Sequence, residues 1–259
     1  MEISLSPTEQ KIYSGLYQKR VIKTSDVFKI LGDLHKSADY ITNLRSKGFL
    51  QKIKQGVYII VPPDMVGKKY IVDKFLVGGN LKEGYYISHH SALELHGVAE
   101  SVFNTVYITV KNYSQPIQYQ DITYDFITTK YFFGIREIMY KSSSLMVSDV
   151  EKTVLDCIRR TKYAGGLEEL IKSISSIPSF NYNKLWEYLK KFNENSLYHK
   201  IGFIFKSLET HVPPADFINK IQKKISNKVY YLDKNKSSSL NKKWKLMVPK
   251  NYWEIVKNV

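Results

Sequence analysis

The sequence predicts an α+β protein in two parts: a small N-terminal module of helices closed by a hairpin, and a larger mixed α/β domain ending in a mostly helical region. Three features of the 259-residue chain carry that expectation. Residues 7–47 hold three helical patterns, and residues 49–61 hold two β-rich runs around a Gln-Gly pair. Pro62-Pro63-Asp64-Met65-Val66-Gly67 is hostile to helix and strand alike, which marks a boundary. Beyond it, β-rich runs between 103 and 147 give way after Pro178 to apolar stripes at helical spacing.

Ser6-Pro7-Thr8-Glu9 is a capping box with proline at the first helical position, so a helix is expected from Pro7 to about Gln18. Thr24 caps a short helix over Ser25–Leu31, which Gly32 stops. The next helix runs from about Leu34 to Lys47, with Leu34, Ala38, Ile41 and Leu44 as its apolar stripe and Gly48 where a left-handed C-cap belongs. Phe49–Lys54 and Val57–Val61 flank the tight-turn pair Gln55-Gly56, so a hairpin follows the third helix. These are the parts of a winged helix-turn-helix, which we place at residues 1–66.

At 100° per residue, Lys36, Asp39, Tyr40, Asn43 and Lys47 fall opposite that apolar stripe, where a recognition helix faces the major groove. An amide such as Asn43 pairs with an adenine edge, and the Tyr40 phenol donates to phosphate; Asp39 repels phosphate unless it accepts from a cytosine amine. Arg45 sits at the edge of the stripe, its stem against the core and its tip free for a phosphate. The expected DNA-binding set is therefore Lys36, Ser37, Tyr40, Asn43 and Lys47 on the helix with Lys52, Lys54 and Gln55 in the wing. The same pattern also suits a winged helix that binds protein.

The formal charge of +15 is unevenly spread. Residues 1–62 hold ten Lys and Arg against five Asp and Glu, a net +5, and residues 220–259 hold eleven against two, a net +9, which leaves +1 for 63–219. The positive field then comes from the two ends, a nucleic-acid footprint if the basic tail folds back, a solvated surface otherwise. The single cysteine, Cys157, excludes an internal disulfide, fits a reducing compartment and lies in an apolar helical pattern. No apolar run approaches the roughly 20 residues that span a bilayer, and Met1-Glu2-Ile3 does not open a basic region followed by an apolar stretch. The expectation is a cytoplasmic protein with no membrane partner.

In the second part, 67–259, Tyr70–Leu76 reads as helical, and Tyr85-Tyr86-Ile87 leads into Ser88, the cap of a helix over His89–His96 that Gly97 ends. Val106–Val110 and Ile122–Thr128 belong to two to four strands within 103–147. Ser148-Asp149-Val150-Glu151 is a second capping box, opening a helix with Val150, Val154, Leu155 and Ile158 inward, and another helix follows Gly165-Gly166. From about 180 the stripes Leu185/Leu189/Phe192, Leu197/Ile201/Ile204/Leu208 and Phe217/Ile221/Ile225 predict core helices. In the basic tail, Ser237-Ser238-Ser239 reads as a loop and Trp244–Val248 as a late strand with Trp244, Leu246 and Val248 on one face.

No constellation demands catalysis, and no catalytic residue, metal or cofactor is expected. His89 and His96 share a helical face, but no i, i+4 histidine pair and no Cys-x-x-Cys accompanies them. Asp149, Glu151 and Lys152 are the residue types of a nuclease site, yet the lysine directly follows the glutamate instead of sitting two positions on, and the capping role already accounts for Ser148 and Glu151. Gly165-Gly166 lacks the lysine and hydroxyl of a phosphate loop.

Five phrases occur in order: Gly56-Val57-Tyr58, Tyr86 through Gly97 (YISHHSALELHG), Ser148 through Asp156 (SDVEKTVLD), Tyr163-Ala164-Gly165-Gly166-Leu167, and Lys200-Ile201-Gly202-Phe203. Together they resemble the AbiEi-type antitoxins, winged-helix regulators of abortive-infection and related defence systems, over most of residues 1–210. The resemblance implies an N-terminal module that binds its own promoter as double-stranded DNA, and a larger domain that counters a nucleotidyltransferase-like toxin encoded alongside, without a stable complex. Lys152 stands where many relatives have arginine, and the tail after 220 has no match. Ser88, His89, Ser91, His96, Glu151 and Asp156 fall in the matching phrases, and no catalytic role transfers onto them. Physically, Ser88 and Glu151 satisfy helix N-termini, and Asp156, facing into an apolar helix, needs a buried arginine or hydroxyl. Two other readings stay open: a stand-alone regulator with a ligand-sensing or dimerisation domain, and a metal-dependent nuclease using Asp149 and the histidines.

Overall fold

A computed structural model describes residues 4–141, 143–233 and 237–257. The expectation about Met1-Glu2-Ile3 lies outside them, as do Lys234 and Lys236 of the tail. In the N-terminal module, α1 (Pro7–Leu16) is closed by the expected capping box: the Glu9 amide donates to Ser6 Oγ at 3.4 Å and the Ser6 amide to the Glu9 carboxylate at 2.6 Å. It ends two residues earlier than expected, in a 3-10 turn over Tyr17–Lys19. A short strand that the sequence did not announce, β1 (Val21–Lys23), precedes α2 (Thr24–Leu31). Thr24 lies inside α2 and does not cap it; the Asp26 carboxylate accepts from the Lys23 amide at 2.8 Å. Then come α3 (Leu34–Ser46), β2 (Leu50–Lys54) and β3 (Val57–Ile60), with Gly56 at φ +76° making the turn and the strands ordered β1-β3-β2.

The larger part is built on a six-stranded mixed sheet. After α4 (Lys74–Gly78), which starts four residues later than the helix expected at Tyr70, come β4 (Tyr85–Ile87), α5 (His89–Leu95), β5 (Thr105–Val110), β6 (Ile117–Tyr119), β7 (Ile122–Thr128), β8 (Ile135–Tyr140) and β9 (Ser143–Ser148). The order is β6-β7-β5-β4-β9-β8, with β5–β7 and β4–β9 parallel and the other pairs antiparallel. Helices α6 (Val150–Arg159), α7 (Leu167–Ser175), α8 (Tyr182–Phe192), α9 (Asn195–Ser207) and α10 (Ala215–Gln222) follow. The basic tail is folded: β10 (Tyr230–Tyr231) and β11 (Ser238–Asn241) flank β12 (Leu246–Pro249), and α11 (Tyr252–Lys257) ends the described chain. Ser238 and Ser239, expected in a loop, pair with Pro249 and Val248, because a ladder partner outweighs the weak strand preference of serine. Trp244, Leu246 and Val248 are all buried, and Trp244 lies against Gly202, where an added Cβ would stand 2.1 Å from the indole.

Three apolar cores result. Ile12, Leu16, Ile22, Val27, Ile41, Leu44, Tyr58 and Ile60 fill the first, and the helices with the tail form the third. The middle core joins Val21, Val57 and Ile59 to Val72, Phe75, Leu76, Ile87, Val106 and Ile108. Successive residues of β1 and β3 point to opposite faces, so Ile22, Tyr58 and Ile60 face one core while Val21, Val57 and Ile59 face another. The winged sheet is thus buried on both sides, and the turn at 62–67 separates the two parts along the chain but not in packing.

Candidate nucleic-acid interface

The orientation of α3 decides which side chains it can offer. Asp33 caps it, accepting from the Lys36 amide at 3.0 Å, and the Ser37 hydroxyl donates to the Asp33 carbonyl at 2.6 Å. With its polar atom satisfied locally, Ser37 turns inward beside Ile41 and Leu44, all three buried, while Leu34 is 63% exposed and Ala38 is exposed. The expected stripe Leu34/Ala38/Ile41/Leu44 is therefore corrected: Ile41 and Leu44 keep their place, Ser37 replaces Leu34 and Ala38, and the buried face is turned by roughly an eighth of a turn from the one its apolar residues suggested. His35, Asp39, Thr42, Asn43 and Ser46 point outward, flanked by Lys36 and Arg45.

Of the expected contacts, Lys36 and Asn43 are exposed on α3, and Lys52 and Gln55 are exposed in the wing. Ser37 is a core residue and leaves the set. Tyr40 is half-buried against the first core. Lys47 caps α3 and is already engaged: its ammonium lies 2.7 Å from Glu9 and donates to the Ser4 carbonyl at 3.2 Å. Burial raises the Glu9 carboxyl, and the hydrogen bonds from Lys47 and Ser6 more than offset it, so the group sits below its ordinary range. Lys54 is half-buried; desolvation first, then Lys82 and Lys23, hold its ammonium below the usual lysine value. A cation facing two others is a poor isolated anchor but a good site for a shared anion.

Sequence reasoning missed a cleft of about 460 Å³ between α3 and β2, lined by Thr42, Arg45, Ser46, Gln51 and Lys52. Arg45 and Lys52 face it with no ion pair among the described residues, and the Tyr119 hydroxyl from the larger part reaches Gln51 at 3.4 Å. The signal that would have found it is Asp33-x-x-x-Ser37: a capping aspartate followed by a hydroxyl that can bond back to its carbonyl lets a serine stand in the buried stripe.

The histidines and acids of the larger part form a packing network. The Ser88 hydroxyl does not cap α5; it bonds His89 Nδ1 at 2.9 Å and Thr109 at 2.7 Å. His89, at φ +52°, is fully desolvated, which drives its imidazole well below the ordinary value and keeps it neutral. The ring of His90 stacks on Phe103 at 3.8 Å and bridges Glu94 and Glu169. Ser91 Oγ accepts from the Tyr107 amide at 2.9 Å, and His96 Nε2 donates to the Ser148 carbonyl at 2.8 Å. The second capping box is also corrected: Asp149 is the N-cap of α6, Ser148 bonds Thr153, and Glu151 accepts from the Asn181 amide at 3.1 Å. Asp156 is paired with Lys152, one turn away on the same helix, and not with an arginine or hydroxyl. The Lys152 ammonium also donates to the Tyr86 hydroxyl at 3.3 Å and lies over the rings of Tyr86, Phe133 and Phe192. Desolvation raises the Asp156 carboxyl and lowers the Lys152 ammonium, each partly opposed by the other. Among the described residues no group of three or more His, Cys, Asp or Glu is arranged to hold a metal ion, and no helix is long and apolar enough to cross a membrane.

No protein-family model matches the chain, and no curated protein matches it in sequence. Among solved structures, it resembles the crystal structure of the RV2827C protein from Mycobacterium tuberculosis, with a TM-score of 0.68 over 98% of this chain and 95% of that one, at 14% sequence identity. At that identity the likeness shows the fold: an α+β chain with N-terminal helices, a larger mixed sheet and C-terminal helices.

Proposed function

We propose that the chain is a DNA-binding autorepressor and an antitoxin of a defence-related system, acting in the cytoplasm on its own promoter and opposing a nucleotidyltransferase-like toxin encoded beside it. The observation that carries the DNA-binding half is the outward face of α3. A 13-residue helix, about 20 Å long, presents Thr42, Asn43 and Ser46 at its centre with Arg45 and Lys36 at its sides. Lys52 extends that face through the cleft into the wing. Hydroxyls and an amide at the centre suit base edges, and the exposed cations at the sides, of which Arg45 has no acidic partner among the described residues, suit phosphates.

The antitoxin half rests on the ordered AbiEi-like phrases. Their residues Ser88, Ser91 and His96 tie α5 and its C-terminal end to β5 and β9, and Asp156 holds the Lys152 ammonium that ties α6 to Tyr86 of β4. They act as scaffolding, so toxin neutralisation falls to the surface that this scaffold holds. Two experiments test the proposal. In a gel shift, the full chain retards its own upstream DNA with affinity that falls steeply as salt rises, and Arg45→Glu with Lys52→Glu abolishes the shift; an unchanged shift places the groove-facing surface elsewhere. Co-expression with the neighbouring reading frame restores growth without co-purification of the two proteins. Failure to restore growth removes the antitoxin half and leaves the repressor.

A further inference from the structure

Residues 63–219 carry almost no net charge, yet seven of their Lys and Arg side chains line one groove. Two basins meet there. One, about 850 Å³, is lined by Lys111, Lys130 and Lys191 with Tyr131, Phe132 and Phe133. The other, about 650 Å³, is lined by Arg160, Lys162 and Lys200 with Tyr163 and Tyr231. Glu194 lines the first and Arg159 the second, and their side chains bond at 2.7 Å, so this ion pair forms the ridge between them. Two carboxylates border the groove: Glu194, neutralised by Arg159, and Asp233 at the far rim.

The cations are placed over aromatic faces. Lys111 lies 5.4 Å from the Phe132 ring centre, Lys130 5.3 Å from Tyr131, Lys191 5.3 Å from Phe133 and Lys162 4.4 Å from Tyr163. None of these four lysines makes an ion pair among the described residues, and all four are exposed. Each ring beneath is half-buried, so a base that stacks on it takes the place of the lysine that lies over it. Tyr231 adds a ring that is 47% exposed.

We propose that this groove is a second nucleic-acid surface, one that takes a single strand. The alternation of cations and half-buried rings matches a strand whose phosphates draw the lysines off the rings while its bases lie on the aromatic faces so uncovered. A duplex hides its base faces in the stack and has no use for the rings. A lone phosphate would fill one basin and leave the second, across the ridge, without a role. The surface lies wholly outside α3 and the wing, so it stands or falls separately from promoter binding.

The test uses the full chain and fluorescein-labelled ten-nucleotide strands, one RNA and one DNA of the same sequence, with the corresponding duplex, followed by anisotropy across a salt series. Lys111→Glu with Lys130→Glu and Lys191→Glu is expected to weaken single-strand binding at least tenfold. It should also lower the slope of log affinity against log salt by about 2, at roughly 0.7 per lost contact. Tyr231→Ala is expected to weaken it about fivefold or more while leaving that slope alone, because stacking releases no counterion. Both variants keep the wild-type melting curve and promoter shift. Preference for the ribose or the deoxyribose strand names the source of the ligand and supports the groove. Three results overturn the proposal: no single-strand binding by the unaltered chain, an equal loss on the duplex, or loss caused by Arg45→Glu with Lys52→Glu and not by the groove variant.

Discussion

Separating the N-terminal module from the rest of the chain should unfold it. The cut at 66/67 follows the sequence boundary, but it uncovers Val21, Val57 and Ile59, which are 2%, 4% and 0% exposed in the whole protein. At about 1.5–3 kcal/mol for each fully buried aliphatic side chain, the module loses roughly 5–9 kcal/mol of burial. A domain of that size holds only about 3–10 kcal/mol in total. Residues 1–66 alone should therefore show little cooperative melting by circular dichroism at 25 °C and bind promoter DNA far more weakly than the full chain. Replacing all three with threonine keeps the strand preference and removes most of the newly exposed apolar surface, which should improve solubility without restoring the missing core. In the full chain, Ile59→Ala should cost about 2–5 kcal/mol, read from the urea midpoint. A sharp, reversible transition for unmodified 1–66, with promoter affinity equal to that of the whole protein, refutes the reasoning.

Lys152→Met should destabilise the chain by about 3–5 kcal/mol by leaving Asp156 buried without a partner, and Lys152→Met with Asp156→Leu should recover most of that loss; urea unfolding of both variants checks it. Asp73 caps α4 and accepts from Tyr140 at 2.9 Å and from Lys141 at 2.6 Å. Burial raises its carboxyl, but these bonds outweigh burial and hold it below the usual value. Its stability contribution is thus present above the unfolded-state value, about 4, and is lost as pH falls through the lower folded value, so Asp73→Asn should flatten stability against pH below about 4. Ser37→Ala should leave promoter affinity unchanged, whereas Arg45→Ala should weaken it and lower the salt slope by about 0.9.

Legibility in the sequence followed local chemistry. Capping box, turn glycine and hairpin each depend on residues within a few positions of one another, and α1, Gly56 and the wing stand where those signals put them. Strand β1 escaped because three residues give no period, and its pairing partner lies in β3, more than thirty positions along. The buried face of α3 is not legible in its apolar residues, because Leu34 at its start is exposed while Ser37, its hydroxyl bonded to the Asp33 carbonyl, is buried. The lysine-aromatic groove escaped for another reason: its cations come from the turn after β5, the β7–β8 loop, the end of α6 and the turn that follows it, the end of α8 and α9, so a running charge total over 63–219 cancels them against acids lying elsewhere.

The ion pair between Lys47 and Glu9 bears on how salt-dependent binding is to be counted. A lysine held at 2.7 Å by a buried carboxylate has its neutralising partner inside the protein, so meeting a phosphate would mean exchanging one anion for another. No condensed cation leaves the DNA on its account unless Glu9 is freed in the same step, at the expense of the capping box of α1. The formal +15 therefore overstates the ionic stoichiometry of promoter binding, and the number of salt ions displaced should track only the cations, such as Arg45 and Lys52, that have no acid of their own.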